Sequence, residues 1–252
     1  DMNGSRIDTV SAEKDLGVFI TVDLTWATHV SSQCAKANKL LGFVRRNTMF
    51  IKSPIVRRIA YLTLVRSHLG YATQLWTPQS VDLMRKIERV QRRATKFILS
   101  LPFFCEQSYT SRLIELNLLP ISYWHELLDM IFFFKSVTGI VNLNSSVVPK
   151  IHVTRVTRSY NPDSPHFFSR KCKTTTFQRS FLNRTTRIWN TLSNDINLSV
   201  KLPLSQFKSL LYNYYLSALK SVYDPENPRS WKSICPYCNS SRSLNTNIRC
   251  CF

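Results

Sequence analysis

The chain has 252 residues, 44% of them hydrophobic and 12% aromatic, which is enough to bury a core and excludes a disordered tail. Its 34 Lys+Arg against 15 Asp+Glu leave a net charge of +19, and a surplus of that size selects a polyanionic partner, nucleic acid ahead of a membrane surface. No basic-then-apolar leader is visible, and the most apolar stretch, ELLDMIFFFKSV, is interrupted by Asp129 and Lys135, so no membrane partner is expected. The sequence opens abruptly at Asp1 and reads as a piece of something longer. Seven cysteines without a secretory leader argue against a disulfide scaffold and for a reducing interior, cytoplasmic or nuclear.

Residues 1 to 22 read as extended, with a turn at MNGS and alternation of Leu16, Val18, Ile20 and Val22 against Gly17, Phe19 and Thr21. From Trp26 the period changes. Trp26, Val30, Cys34, Ala37, Leu41 and Val44 recur at three and four, which predicts a helix with one apolar stripe. Ser53-Pro54 then supplies an N-cap and an N1 proline for a second helix, running on to Pro78 with a stripe through Ile55, Ile59, Leu62, Val65, Leu69, Ala72 and Trp76. Gly70 inside it predicts a close packing contact, because glycine in a helix is about 1 kcal/mol worse than alanine.

Ser80 caps a third helix, LMRKIERVQRRATKFIL, with six cations and one acid. At 100° per residue, Arg85, Arg89, Arg92, Arg93 and Lys96 share one sector, while Met84, Ile87, Val90, Ala94, Phe97 and Ile98 fall opposite. Glu88 lies near the border and neutralises at most one neighbour. Ordinary solvated faces mix both signs, since like charges at i,i+4 repel by a few tenths of a kcal/mol. Five cations on one sector therefore point to phosphates, and the preference for arginine fits forked contacts to two phosphate oxygens.

Two further helices are expected at about 108 to 117 and 122 to 138, the second ended by Gly139. Residues 142 to 176 read as a long irregular basic loop, with Arg155, Arg158, Arg170, Lys171 and Lys173 among Tyr160, Phe167 and Phe168. From 150 to 187 there are nine Lys+Arg and one acid, Asp163, so the aromatics are either base-stacking surface or the core of a small subdomain. Phe177 to Leu192 returns to helical spacing, and a final amphipathic helix follows Pro203. The predicted fold class is mainly α: an N-terminal β-hairpin, a basic three-helix thumb-like bundle, then a mostly helical C-terminal region.

Catalytic constellations are thin. The sequence holds no Gly-rich phosphate loop, no G-x-S-x-G and no H-E-x-x-H, and its acids are dispersed, so no catalytic residues are assigned. Cys235-x-x-Cys238 has the spacing of half a zinc site, with Cys250 and Cys251 as the remaining ligands; the alternative is a loose tail of free thiols.

EKDLGVFIT, DLTWATHVSSQCAKANKLLGFVRRN, YLTLVRSHLGYATQLWTP and LMRKIERVQRRATKFIL, in that order, resemble the C-terminal part of reverse transcriptases from non-long-terminal-repeat retrotransposons, the jockey-like group in particular. RSFLNRTTRIWNTLSNDI and the helix ending near Val222 are similar to the same proteins' tail. The resemblance implies that residues 1–23 end the palm, 24–100 form the thumb, 101–222 a C-terminal helical region and 223–252 a Cys-containing tail. In that family the palm's aromatic-x-Asp-Asp motif holds catalytic magnesium; the motif does not occur here, so magnesium is expected only in a missing palm. The implied partners are the RNA and DNA of a template-primer and the rest of the polymerase upstream. The expected nucleic-acid contacts are Arg85, Arg89, Arg92, Arg93 and Lys96, helped by Lys36, Lys39, Arg57 and Arg58. The alternative is a non-enzymatic interaction module or a degenerate retroelement relic.

Overall fold

Strands β1 (Ala12–Asp15) and β2 (Val18–Thr21) pair antiparallel with Asp15 opposite Val18, which leaves Leu16 and Gly17 alone to make the turn. Both have positive φ, 44° and 85°, the mirror-image turn whose twist matches that of the strands. Leu16 is thus a turn residue, not the strand residue its place in the alternation predicts; the MNGS turn lies outside the described residues. The structure is a computed structural model and describes residues 10–78, 80–102, 104–142, 163, 165–196 and 198–221. It is mainly helical, with this hairpin ahead of the helices, as the sequence predicts.

The hairpin docks through buried Val18 and through the Phe19 N–H, which donates to His29 Nδ1 (3.2 Å) on α1 (Ala27–Asn47). The predicted stripe of α1 is buried from Val30 to Val44, and Trp26 is half-buried before its first turn.

The second helical region departs from expectation twice. It comprises α2 (Pro54–Ala60), a π-helical turn (Tyr61–Arg66), α3 (Ser67–Leu69) and, after a break, α4 (Thr73–Trp76). Its buried ridge is Arg57, Tyr61, Val65 and Leu69, while Ile55 and Ile59 are 70% and 53% exposed. Steps of four drift by about 40° each on an α-helix, and the wider π turn takes up that drift. The ridge therefore runs straight from Arg57. The break falls at Ala72, whose φ of 53° no helix continues.

α5 (Val81–Ile98) buries Met84, Ile87, Val90, Ala94 and Ile98 as predicted, and half-buries Phe97. α6 (Tyr109–Glu115) is capped by Ser108, whose hydroxyl accepts from the Ser111 N–H (3.1 Å). α7 (Ile121–Val137) ends at Gly139 with φ 74°, the left-handed position expected there. The predicted single helix near Phe177 is two, α8 (Thr175–Arg179) and α9 (Phe181–Ile196), separated at Ser180; α10 (Leu204–Ser221) closes the fold.

One core cluster runs from Val18 to Leu219 without a break at residue 100. Trp76 sits edge-on between His29 (4.8 Å) and His125 (5.3 Å). The Leu69 carbonyl can only accept, so His125 Nε2 donates to it (2.7 Å), and burial holds this imidazole neutral, its pKa lowered to about 3. Phe167 belongs to the core, its ring 5.3 Å from Phe133 and 5.5 Å from Trp189. That answers one of the two readings of the aromatic segment for this ring; Tyr160, Arg155 and Arg158 lie outside the described residues.

Gly70 has the close neighbour its place in the helix predicts. A Cβ there would lie 2.3 Å from Trp124 Cη2, and Trp124 is itself held beneath the Arg66 guanidinium at 4.3 Å. Gly70→Ala is expected to destabilise the chain by about 1–3 kcal/mol in urea titration, and to be nearly neutral in a Trp124→Leu background.

Glu126 on α7 has a buried carboxyl oxygen without a partner, and burial pushes its pKa from 4.5 up to about 8. The folded chain therefore keeps a proton that the unfolded chain releases, and stability is lost as pH rises from 4.5 towards 8. Glu126→Gln should flatten the stability–pH profile across that window, read as urea midpoints against wild type.

Candidate nucleic-acid interface

α1 carries Lys36, Lys39, Arg45 and Arg46 and no acid, whereas α5 carries six cations against Asp82 and Glu88. The two helices run parallel. Lys86 Nζ donates to Ser31 Oγ (2.7 Å), and one heptad further along both helices Arg93 Nη2 donates to Asn38 Oδ1 (2.6 Å). Further along, the Arg45 guanidinium lies over the Phe97 ring at 5.9 Å. The π-containing segment runs back between them and contacts α1, so the three helical stretches alternate in direction.

Glu88 does not lie at the rim of the cationic sector. It is buried, accepts from the Tyr109 hydroxyl, and accepts from the Ile121 N–H (2.8 Å) at the first turn of α7. Burial raises its pKa, opposed by these two hydrogen bonds and by Arg66 and Arg92. A carboxylate at a helix N-terminus completes an otherwise orphaned N–H, and here Pro120 offers no side-chain cap. Gln91 extends the node, accepting from the Tyr61 hydroxyl (2.9 Å) and donating to the Leu119 carbonyl (3.0 Å). Turning Glu88 inward leaves Asp82 as the one acid on the solvent side of α5.

Arg85, Arg89 and Arg93 are exposed, and Lys96 is half-exposed beside them. Arg85 pairs with Asp82 (3.2 Å), but with side-chain exposures of 48% and 87% this is a solvated pair of little energetic weight. Arg89 has neither a hydrogen bond nor an ion pair among the described residues. Arg92 leans off the sector, its guanidinium 4.8 Å from the Tyr109 ring. On α1, Lys39 is exposed, and Lys36 lies on the side of α3, where its charge adds to burial in lowering the pKa of His68.

Arg57 and Arg58 are placed differently from the rest. Arg57 is 7% exposed and donates to the carbonyls of Phe97 (3.1 Å) and Met49 (3.4 Å) and to Ser100 Oγ (2.5 Å). It closes the C-terminal ends of α5 and α1, an interior clamp rather than a surface cation. Arg58 is half-buried and donates to the carbonyls of Leu116 (2.6 Å) and Asn117 (3.3 Å). Arg184, counted above within the basic segment, is likewise internal: it chelates Asp129 (2.7 Å) and the Gln74 carbonyl (3.2 Å), tying α9 to α7 and α4.

Sequence reasoning passed over Lys86, Arg45 and Arg46. The signal was present in the matching heptads, Ser31 and Asn38 on α1 against Lys86 and Arg93 on α5, though only a parallel packing makes them partners. Among the described residues no three His, Cys, Asp or Glu side chains converge as metal ligands, and Cys235, Cys238, Cys250 and Cys251 lie outside them. No helix among the described residues is long and apolar enough to cross a membrane. No protein-family model matches the chain, and no curated protein or solved structure matches it.

The cations thus divide into interior clamps and solvent-facing charges. Arg57→Gln should lower stability by about 1–3 kcal/mol, because buried carbonyls lose a charged donor. Arg89→Gln should stay within about 0.5 kcal/mol of wild type in the same urea titration.

Proposed function

We propose that this chain is the thumb and C-terminal region of a retroelement RNA-directed DNA polymerase, holding template-primer nucleic acid by its sugar-phosphate backbone and inactive as a polymerase by itself. The observation that carries this reading is the ridge on the parallel pair of α1 and α5: exposed Lys39, Arg85, Lys86, Arg89 and Arg93, with the mid-helix acid turned inward. From Arg85 to Lys96 the ridge spans about 17 Å, the reach of about three consecutive phosphates on one strand. Backbone contacts of this kind fix register without reading sequence, as a polymerase requires. A hybrid duplex is close to A-form, whose deep groove side chains read poorly, so phosphates are the accessible target. The order of the sequence motifs that resemble jockey-like reverse transcriptases supports the same reading.

A protein-docking reading has one observation in its favour. Phe50, Ile55 and Ile59 are exposed at 88%, 70% and 53%, more apolar surface than α2 needs for its own packing.

Replacing Lys39, Arg89 and Arg93 together by Gln tests the choice. Binding of a 20-base-pair RNA–DNA hybrid should weaken, and the log–log salt slope should fall by about one unit per cation removed, with helicity unchanged by circular dichroism. A flat salt slope in the wild-type chain rejects nucleic-acid binding.

A further inference from the structure

Where α1 and α5 end, a cleft of about 440 Å³ opens, lined by Gly42, Arg45, Arg46, Met49, Arg57 and Phe97. Three of its six walls are guanidinium groups. Arg57 spends its charge on two carbonyls and a hydroxyl, and neither it nor Arg45 nor Arg46 has a carboxylate partner among the described residues. Two helix C-termini contribute about half a negative charge each, which three arginines exceed. The cleft is therefore an open recess with a net positive lining, the electrostatic complement of an anion.

Its remaining lining is apolar. The Phe97 ring has the Arg57 guanidinium fixed at 4.9 Å by its carbonyl bonds, and Arg45 looser at 5.9 Å. Arg45 is exposed and makes no hydrogen bond among the described residues, so it can swing aside or close over a flat ring. The volume lies within the roughly 300–1,000 Å³ of small-molecule sites.

Gly42 is the second, independent sign. At Gly70 the absent side chain is explained by Trp124; at Gly42 no neighbour requires it. A Cβ there would meet only Arg46 Nη1, at 3.6 Å, an ordinary contact. A mid-helix glycine is unfavourable by about 1 kcal/mol, and nothing in the packing offsets it. What the missing side chain preserves is the open cleft.

We propose that this cleft receives one unpaired nucleotide at the end of a strand held on the ridge, the base against Phe97 and Met49 and the phosphate at Arg45 and Arg46. The assignment rests on the nucleic-acid reading above, because Phe97 in the cleft wall lies one turn of α5 beyond Arg93 of the ridge, and a strand running along α5 arrives there. Arginine and an aromatic ring together are how proteins hold unpaired bases without sequence preference.

The test compares a blunt 20-base-pair RNA–DNA hybrid with the same hybrid carrying a single unpaired nucleotide at either end. For the wild-type chain one overhang should tighten binding by roughly fivefold or more, the scale of stacking one base on an aromatic ring. Gly42→Leu fills the cleft with a better helix former and Phe97→Leu removes the ring; each should abolish the gain and leave blunt-duplex affinity unchanged. Adenosine monophosphate, the free source of the same chemistry, should erase the gain at high concentration without displacing blunt duplex. Equal affinity for blunt and overhanging hybrids, or a gain that survives Gly42→Leu, overturns this inference while the backbone-grip reading stands. Binding of the free nucleotide without any overhang preference overturns the strand-end assignment. Failure to bind either hybrid overturns both readings.

Discussion

The direction in which Glu88 points decides the character of the whole surface. A carboxylate at that position on a solvated helix would sit among Arg85, Arg89 and Arg92 and cancel a cation. Instead it is drawn under the helix by the Tyr109 hydroxyl and the first N–H of α7. Burying a carboxylate is unfavourable by several kcal/mol unless hydrogen bonds and nearby cations compensate, and this node supplies both. The same contacts pin α5 to α6 and α7, so the polarity of the ridge and the position of the C-terminal helices have one physical origin. Loosening the node would return an acid to the surface and release the first turn of α7 together.

The arginines of the chain follow a consistent division of labour. Arg57, Arg58, Arg66 and Arg184 point into the protein and donate mostly to carbonyl oxygens at helix ends and turns. Most of these carbonyls lie at or just beyond helix C-terminal ends, where intrahelical donors run out, and a planar guanidinium reaches two or three at once. Net charge alone therefore overstates the cationic surface. Among the described residues, exposed cations gather densely on the joined faces of α1 and α5, with others such as Lys52, Arg170, Lys171 and Lys173 elsewhere.

Legibility in the sequence followed the range of the interactions. The inner face of α5 and the stripe of α1 were readable because apolar periodicity is local and each helix is regular throughout. The second helix was misread because its ridge begins at Arg57, a residue that hydrophobicity assigns to the surface, and because the π turn at Tyr61–Arg66 shifts the period. Glu88 was placed at a rim by its angle on the wheel, yet its fate is set by Tyr109 and Ile121, more than twenty residues away. Arg45 and Arg46 were visible as basic residues but not as members of the site, since a parallel arrangement of α1 and α5 cannot be inferred from either helix alone. The glycines read unevenly as well: Gly70 announced a contact correctly, while Gly42 acquires meaning only beside the cleft.

The parallel pairing also explains how so many like charges persist side by side. Two helices in the same direction bring two C-termini to one end, and each attracts cations with about 0.3–1 kcal/mol. Arg45, Arg46 and Lys96 lie in those last turns and Arg57 closes them, so the positive charge there is stabilised by the fold itself. At the opposite end Asp82 lies in the first turn of α5 and answers Arg85. Compensation is weakest in the middle, at Arg89 and Arg93, where neither a helix end nor an acid lies close. Repulsion of a few tenths of a kcal/mol per pair remains there, and it is relieved when an anion docks. In the proposed backbone grip, the middle of the ridge is where binding would gain most, and the C-terminal end is where charge would be retained for the proposed second contact.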